Sequence, residues 1–183
     1  AVNSGYKINQ DFNGAEQEGF GYQQWTTRNG RRCSAAVGFL NPARKRNNLT
    51  IVSKAHTTKI VFDGIRAVGV EYEKSGKIKV VTANREILIS AGAYNSPQLL
   101  QLSGVGPSEI LSDLGIEVVA DREAVGKNLQ DHFNAPLMFE LNEHFTLNDV
   151  LNRWSSKIDH FMRYLFQQRG FLSMGVAYAG GYF

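Results

Sequence analysis

The residues of this sequence best suited to chemistry are small ones. Ala91 and Gly92 follow an apolar run, Glu86-Ile87-Leu88-Ile89-Ser90, and precede Ala93-Tyr94-Asn95-Ser96-Pro97-Gln98-Leu99-Leu100-Gln101-Leu102-Ser103-Gly104-Val105-Gly106. A strand, a small-residue turn and a helix N-terminus, in that order, present backbone N–H groups to a phosphate or nucleotide. Close approach to the backbone requires residues with little or no side chain. Ser96 is expected to cap the helix and Pro97 to sit in its first turn, where a missing N–H does no harm. Leu99, Leu100 and Leu102 supply an apolar face, and Gly104 can take the left-handed conformation that ends a helix. An ordinary βα turn without a ligand is the plain alternative, and the local pattern leaves both open.

Other chemistries find little support. The histidines are His56, His132, His144 and His160, with no His-x-x-x-His pair, and Cys33 has no second cysteine. Asp131-His132 with Glu140 and Glu143 could ligate a metal, but a loop Asp-His pair making local hydrogen bonds is the better reading, so no metal site is expected. No Gly-x-Ser-x-Gly elbow occurs. Pro97 also removes the backbone N–H that would serve Ser96 as an oxyanion donor. There is no phosphate loop ending in Gly-Lys-Ser/Thr. Gly104-Val105-Gly106 begins like a dinucleotide motif but meets Glu109 where the third glycine belongs. No catalytic residue is assigned.

The chain has 183 residues, of which 43% are hydrophobic and 20% charged, with a net charge of +3. This describes a globular chain of one domain or somewhat more. The densest basic cluster, Arg44-Lys45-Arg46, sits beside an expected helix end, where the helix dipole favours it; no nucleic-acid partner is expected. The single cysteine excludes an intrachain disulfide and fits a reducing, cytoplasmic compartment. No apolar run reaches the ~18 residues that suggest a spanning helix. The first residues, Ala1-Val2-Asn3-Ser4-Gly5, do not resemble a signal peptide and read as an entry into a longer chain.

The elements positioning these residues are of mixed, α+β type. Residues 1–30 are loop-like with scattered aromatics and short strands. Ser34 opens a short helix from Ala35 to Leu40 that Pro42 limits. Leu49–Val52, Thr57–Phe62, Ala67–Tyr72, Lys77–Thr82 and Arg85–Ser90 read as strands, with Asp63-Gly64 and Ser75-Gly76 as turns; three or four of them form an antiparallel meander. A short helix spans 107–115, followed by a strand at Ile116–Val119. Residues 125–132 are a polar loop, and Phe133–Leu141 reads as a strand opening a new layer. Leu147, Val150, Leu151, Trp154, Ile158, Phe161, Met162 and Leu165 then lie on one stripe of a helix over 147–169. Flanked by Arg153, Lys157, Arg163 and Arg169, that helix packs on a sheet or, alternatively, rests on a membrane surface.

The Gly92–Gly106 segment resembles the second signature of the glucose–methanol–choline (GMC) flavoprotein oxidoreductases. Further blocks resemble the same family in the same order. They are Asp11-Phe12-Asn13-Gly14 with Glu18-Gly19-Phe20-Gly21, Gly30-Arg31-Arg32-Cys33-Ser34-Ala35-Ala36, Arg66-Ala67-Val68-Gly69-Val70-Glu71-Tyr72, and Val125-Gly126-Lys127-Asn128-Leu129-Gln130-Asp131-His132. The resemblance covers essentially the whole chain. It implies an FAD enzyme that oxidises a primary alcohol by hydride transfer to the flavin, in chains about three times this length. Residues 1–132 would be the middle of the FAD-binding domain, including the meander, and 133–183 the beginning of an antiparallel-sheet substrate domain. The Gly-rich flavin motif and the catalytic His are absent here. The chain is therefore expected to be an internal fragment, inactive by itself, that does not retain FAD and exposes an apolar surface promoting self-association. A non-catalytic binding module of the same family is the alternative.

The resemblance also implies roles. Thr57 stands where the family's backbone contacts adenine, and Ala91 and Gly92 stand where small residues approach the adenosine side of FAD. Tyr178, in Tyr178-Ala179-Gly180-Gly181-Tyr182-Phe183, occupies a substrate-binding position where choline dehydrogenases typically carry Glu. A tyrosine face can also hold a quaternary ammonium, by about 1–2 kcal/mol when desolvated. The loss of the carboxylate and the look of residues 145–175 favour an aliphatic alcohol, with choline second.

Overall fold

The computed structural model describes residues 1–143, 146–173, 175 and 178–183. In chain order its elements are β1 (Gly19–Tyr22), β2 (Thr27–Arg28), β3 (Arg31–Arg32), a π-helical turn (Ala36–Leu40) running into α1 (Asn41–Ala43), β4 (His56–Asp63), β5 (Arg66–Lys74), β6 (Lys77–Thr82), α2 (Gly92–Leu102), β7 (Val105–Gly106), α3 (Ser108–Asp113), β8 (Ala120–Asp121), α4 (Leu147–Leu151), α5 (Trp154–Gln167) and β9 (Ala179–Tyr182). This is the α+β mixture expected. It divides into two compact units, Ala1–Leu49 with Met138–Phe183, and Thr50–Leu137.

In the 50–137 unit, β4, β5 and β6 form the antiparallel meander. Its second turn follows from residue type: Ser75 and Gly76 have φ of 54° and 72°, the mirror-image turn that suits two-residue hairpins. β4 shifts register between Thr57 and Lys59 and again between Val61 and Phe62. α2 packs against β4 and stops where Gly104 turns left-handed, φ 87°. β7 and β8 then pair in parallel, joined through α3, whose Leu111 is completely buried.

In the other unit β1 pairs antiparallel with β9, from Gly19 opposite Tyr182 to Tyr22 opposite Ala179. Phe12 is buried there, 5.0 Å from the Tyr182 ring. Asn29-Gly30, with φ of 50° and 64°, closes the β2–β3 hairpin. α4 opens with a capping box, the Thr146 hydroxyl accepting from the Asp149 N–H and the Asp149 carboxylate accepting from the Thr146 N–H.

Local expectations shift in several places. α2 begins at Gly92, so Ser96 lies inside it and its hydroxyl accepts from the Ala91 N–H at 3.1 Å. Pro97 then forgoes one internal helix bond. The short helix after Ser34 is π-helical and runs on through Pro42 to Ala43. Leu49–Val52, Glu86–Ser90 and Phe133–Leu141 are not strands. Apolar, β-branched runs become strands only where a neighbour takes their backbone hydrogen bonds, and no described segment pairs with these. Phe133 and Met138 are instead 96% and 97% exposed. The strand expected at Ile116–Val119 forms later, as β8. The helix expected over 147–169 is two helices. Arg153 is extended between them (φ −106°, ψ 123°), and the second ends at a left-handed Gln168, ahead of Gly170. Asn152, a weak helix former, marks the break.

Candidate cofactor-binding site

Three of the four candidate residues fall in the 50–137 unit. Ala91 and Gly92 lie together at the start of α2, as N-cap and first helical residue. Gly92 has φ 92°, a conformation that side chains resist. A Cβ placed on it would meet nothing within 4 Å, so the backbone there faces open space. Ala91 has no side chain able to cap this helix end; the Ser96 hydroxyl takes up the Ala91 N–H, and the first turn holds no acidic residue. The positive end of an 11-residue helix thus has no negative charge in its first turn, which favours an anion. Small residues, open space and an uncapped helix start fit the close approach of a nucleotide phosphate.

Thr57 lies on β4, the strand against which α2 packs. It sits opposite Tyr72, just before the first register shift. Its side chain is exposed, while that of Thr58 donates to Glu71 Oε1 at 2.7 Å. Helix and strand are joined by a buried link that the sequence did not reveal. Ser103, 8% exposed, accepts through Oγ from the Ile60 N–H at 2.8 Å. Only the i−4 spacing of Ser103 to Leu99, which receives its hydroxyl proton at 2.6 Å, hinted at a residue with capacity to spare.

The 125–132 block is tied to the same helix. Gln101 Nε2 donates to the Val125 carbonyl at 3.1 Å. Gly126, φ 84°, passes so close that a Cβ would lie 2.8 Å from Gln101 Nε2. At the end of the block Asp131 Oδ1 accepts from the His132 N–H at 2.8 Å, the local hydrogen bonding expected of that pair. Among the described residues, no group of three or more His, Cys, Asp or Glu is placed to hold a metal. Nor is any described helix long and apolar enough to cross a membrane.

Tyr178 belongs to the other unit. It immediately precedes β9, its carbonyl accepts from the Gln23 N–H at 3.0 Å, and its half-exposed ring lies 4.9 Å from that of Tyr22. Tyr22 was not a sequence candidate; it reaches Tyr178 through the β1–β9 register.

An antiparallel meander with a helix packed on its edge strand, in a mixed α+β chain, agrees with the family blocks read from the sequence. The chain belongs to the GMC oxidoreductase family, whose model matches residues 1–134. Its relatives include the oxygen-dependent choline dehydrogenase of Brucella anthropi, 48% identical over 152 residues, which cover 83% of this chain and 28% of that one. The protein of the same name from Sinorhizobium fredii is 52% identical over 129 residues, 70% of this chain and 23% of that one. Among solved structures, formate oxidase superposes with a TM-score of 0.85 at 26% identity, covering 97% of this chain and 31% of its own. Pyridoxine 4-oxidase from Mesorbium loti gives 0.67 at 32% identity, covering 72% and 26%. The chain spans under a third of the length of each of these relatives.

Proposed function

We propose that this chain is part of an FAD-dependent oxidoreductase that oxidises a primary alcohol, choline or an aliphatic alcohol, to the aldehyde. The observation that carries the reading is the uncapped, open start of α2 at Ala91 and Gly92, in a chain of the GMC family. Bound FAD supplies the hydride acceptor. Ala91 and Gly92 hold its adenosine side by close backbone approach, and Thr57 does so through the backbone of β4. Residues 1–132 contribute to the FAD-binding part and 133–183 begin the substrate part. Tyr178 offers its ring to the substrate. The relatives named choline dehydrogenase support choline over an aliphatic alcohol, and a tyrosine face suits a quaternary ammonium that has no hydrogen to donate. The isolated chain assigns no residue to proton or hydride transfer and is inactive by itself. It works in the cytoplasm.

A second reading concerns α5. Trp154, Ile158 and Leu165 on its apolar stripe are 77%, 60% and 56% exposed. This supports peripheral membrane contact or self-association through that face.

The test is the whole gene product. It should purify yellow, with flavin bands near roughly 370 and 450 nm, and turn over choline faster than butanol. Tyr178→Leu should raise KM for choline about 5–30-fold, the equivalent of the cation–π energy. A colourless product, or one indifferent to both alcohols, overturns the reading.

A further inference from the structure

We infer that Ser103 is a positioning residue for the cofactor, fixing the strand that carries Thr57 against the helix that begins at Ala91 and Gly92. The inference rests on the FAD reading above.

β4 is an edge strand of the β4–β5–β6 sheet. An edge strand leaves every second N–H without a ladder partner, and water ordinarily satisfies it. Ile60 is only 4% exposed because α2 covers this edge, so its N–H needs a protein acceptor. Ser103 supplies one. As the residue that closes α2, it donates its hydroxyl proton to the Leu99 carbonyl at 2.6 Å. That donation fixes the rotor and leaves an oxygen lone pair for the Ile60 N–H at 2.8 Å. The bond is thus oriented from both sides and shielded from water.

Its place in the fold gives it leverage. Ile60 lies just beyond the register shift between Thr57 and Lys59, so pinning Ile60 sets how the Thr57 backbone emerges. α2 is a rod about 16 Å long at the usual rise per residue. A tilt at its Ser103 end is therefore a displacement at its Gly92 end. Contacts made by backbone approach depend on spacing more than on side-chain chemistry, so a loosened pin registers first in cofactor affinity.

The experiment uses the full-length gene product, deflavinated and titrated with FAD by fluorescence. Ser103→Ala is expected to raise the FAD Kd about fivefold or more, because the Ile60 N–H loses its buried acceptor and the strand its fixed position against α2. It should also speed exchange of the Ile60 amide. Ser103→Thr, which keeps the hydroxyl, should stay within about threefold of the wild type. Leu111→Val, which loosens the same unit away from this contact, should lower the unfolding temperature without moving the Kd. A flavin-binding wild type whose Ser103→Ala variant has unchanged affinity overturns the inference alone. So does an equal loss in Leu111→Val. A wild type that binds no flavin overturns the functional reading, and the inference with it.

Discussion

Replacing Gly92 by alanine separates a backbone role from a cofactor role. Gly92 has φ 92°, and an alanine held there costs about 1–2 kcal/mol of backbone strain. No steric term adds to this, because a Cβ at Gly92 meets nothing within 4 Å. Gly115 provides the matched control, with φ 69° and again nothing within 4 Å of its Cβ. It follows α3, away from the start of α2. Gly92→Ala and Gly115→Ala should therefore lower urea stability by similar amounts. They should differ in flavin binding. A methyl group at Gly92 occupies the space through which the adenosine side reaches the backbone, so the FAD Kd should rise about tenfold or more, the equivalent of ~1.4 kcal/mol. At Gly115 the Kd should stay at the wild-type value. The measurements are urea denaturation and FAD fluorescence titration on the full-length product. Equal Kd shifts in both variants would show that Gly92 matters only as a helix start. A stability loss at Gly92 well above ~3 kcal/mol would mean that the open space beside it is filled in the folded protein.

Other perturbations address the remaining contacts. Gly104→Ala should destabilise more than Gly115→Ala, by over ~1 kcal/mol, because its Cβ would collide with the Glu117 carbonyl and lie 2.8 Å from Val119 Cγ2; equal urea midpoints would refute the close packing of Gly104 on the segment before β8. Thr146→Ala breaks the capping box and should cost about 1 kcal/mol, seen as faster amide exchange confined to the first turn of α4; unchanged exchange there would refute the cap. Trp154→Glu places a charge on the exposed stripe of α5 and should abolish co-sedimentation with anionic liposomes if that face meets a membrane; equal binding of both proteins removes the membrane reading. The isolated chain, with Phe133, Leu137, Met138 and Phe139 all exposed, should self-associate in sedimentation as concentration rises; a monomer throughout refutes an adhesive apolar surface.

Sequence alone carried whatever depends on residue type at short range. Asp63-Gly64 and Ser75-Gly76 marked their turns because few residues accept left-handed φ, and the alternation of β4, β5 and β6 set the meander. Gly104 marked the end of α2 for the same reason. The ordered blocks from Asp11 to His132 were enough to name the family, since several short motifs in one order are far more specific than any one. Tertiary structure decided what depends on a partner. Leu49–Val52, Glu86–Ser90 and Phe133–Leu141 have the composition of strands but no neighbour to bond among the described residues, and a strand exists only as a pair. The apolar stripe over 147–169 set a helical period but not its continuity, which broke at Asn152 and Arg153. Ser96 and Pro97 looked like a helix start, yet α2 begins at Gly92, where Ala91 and Gly92 form an open and uncapped end. The meeting of Ser103 with Ile60, 43 residues apart in sequence, and of Tyr22 with Tyr178 follows from register and packing. Local composition holds no record of either, because each contact is made by two segments that become neighbours only when the chain folds.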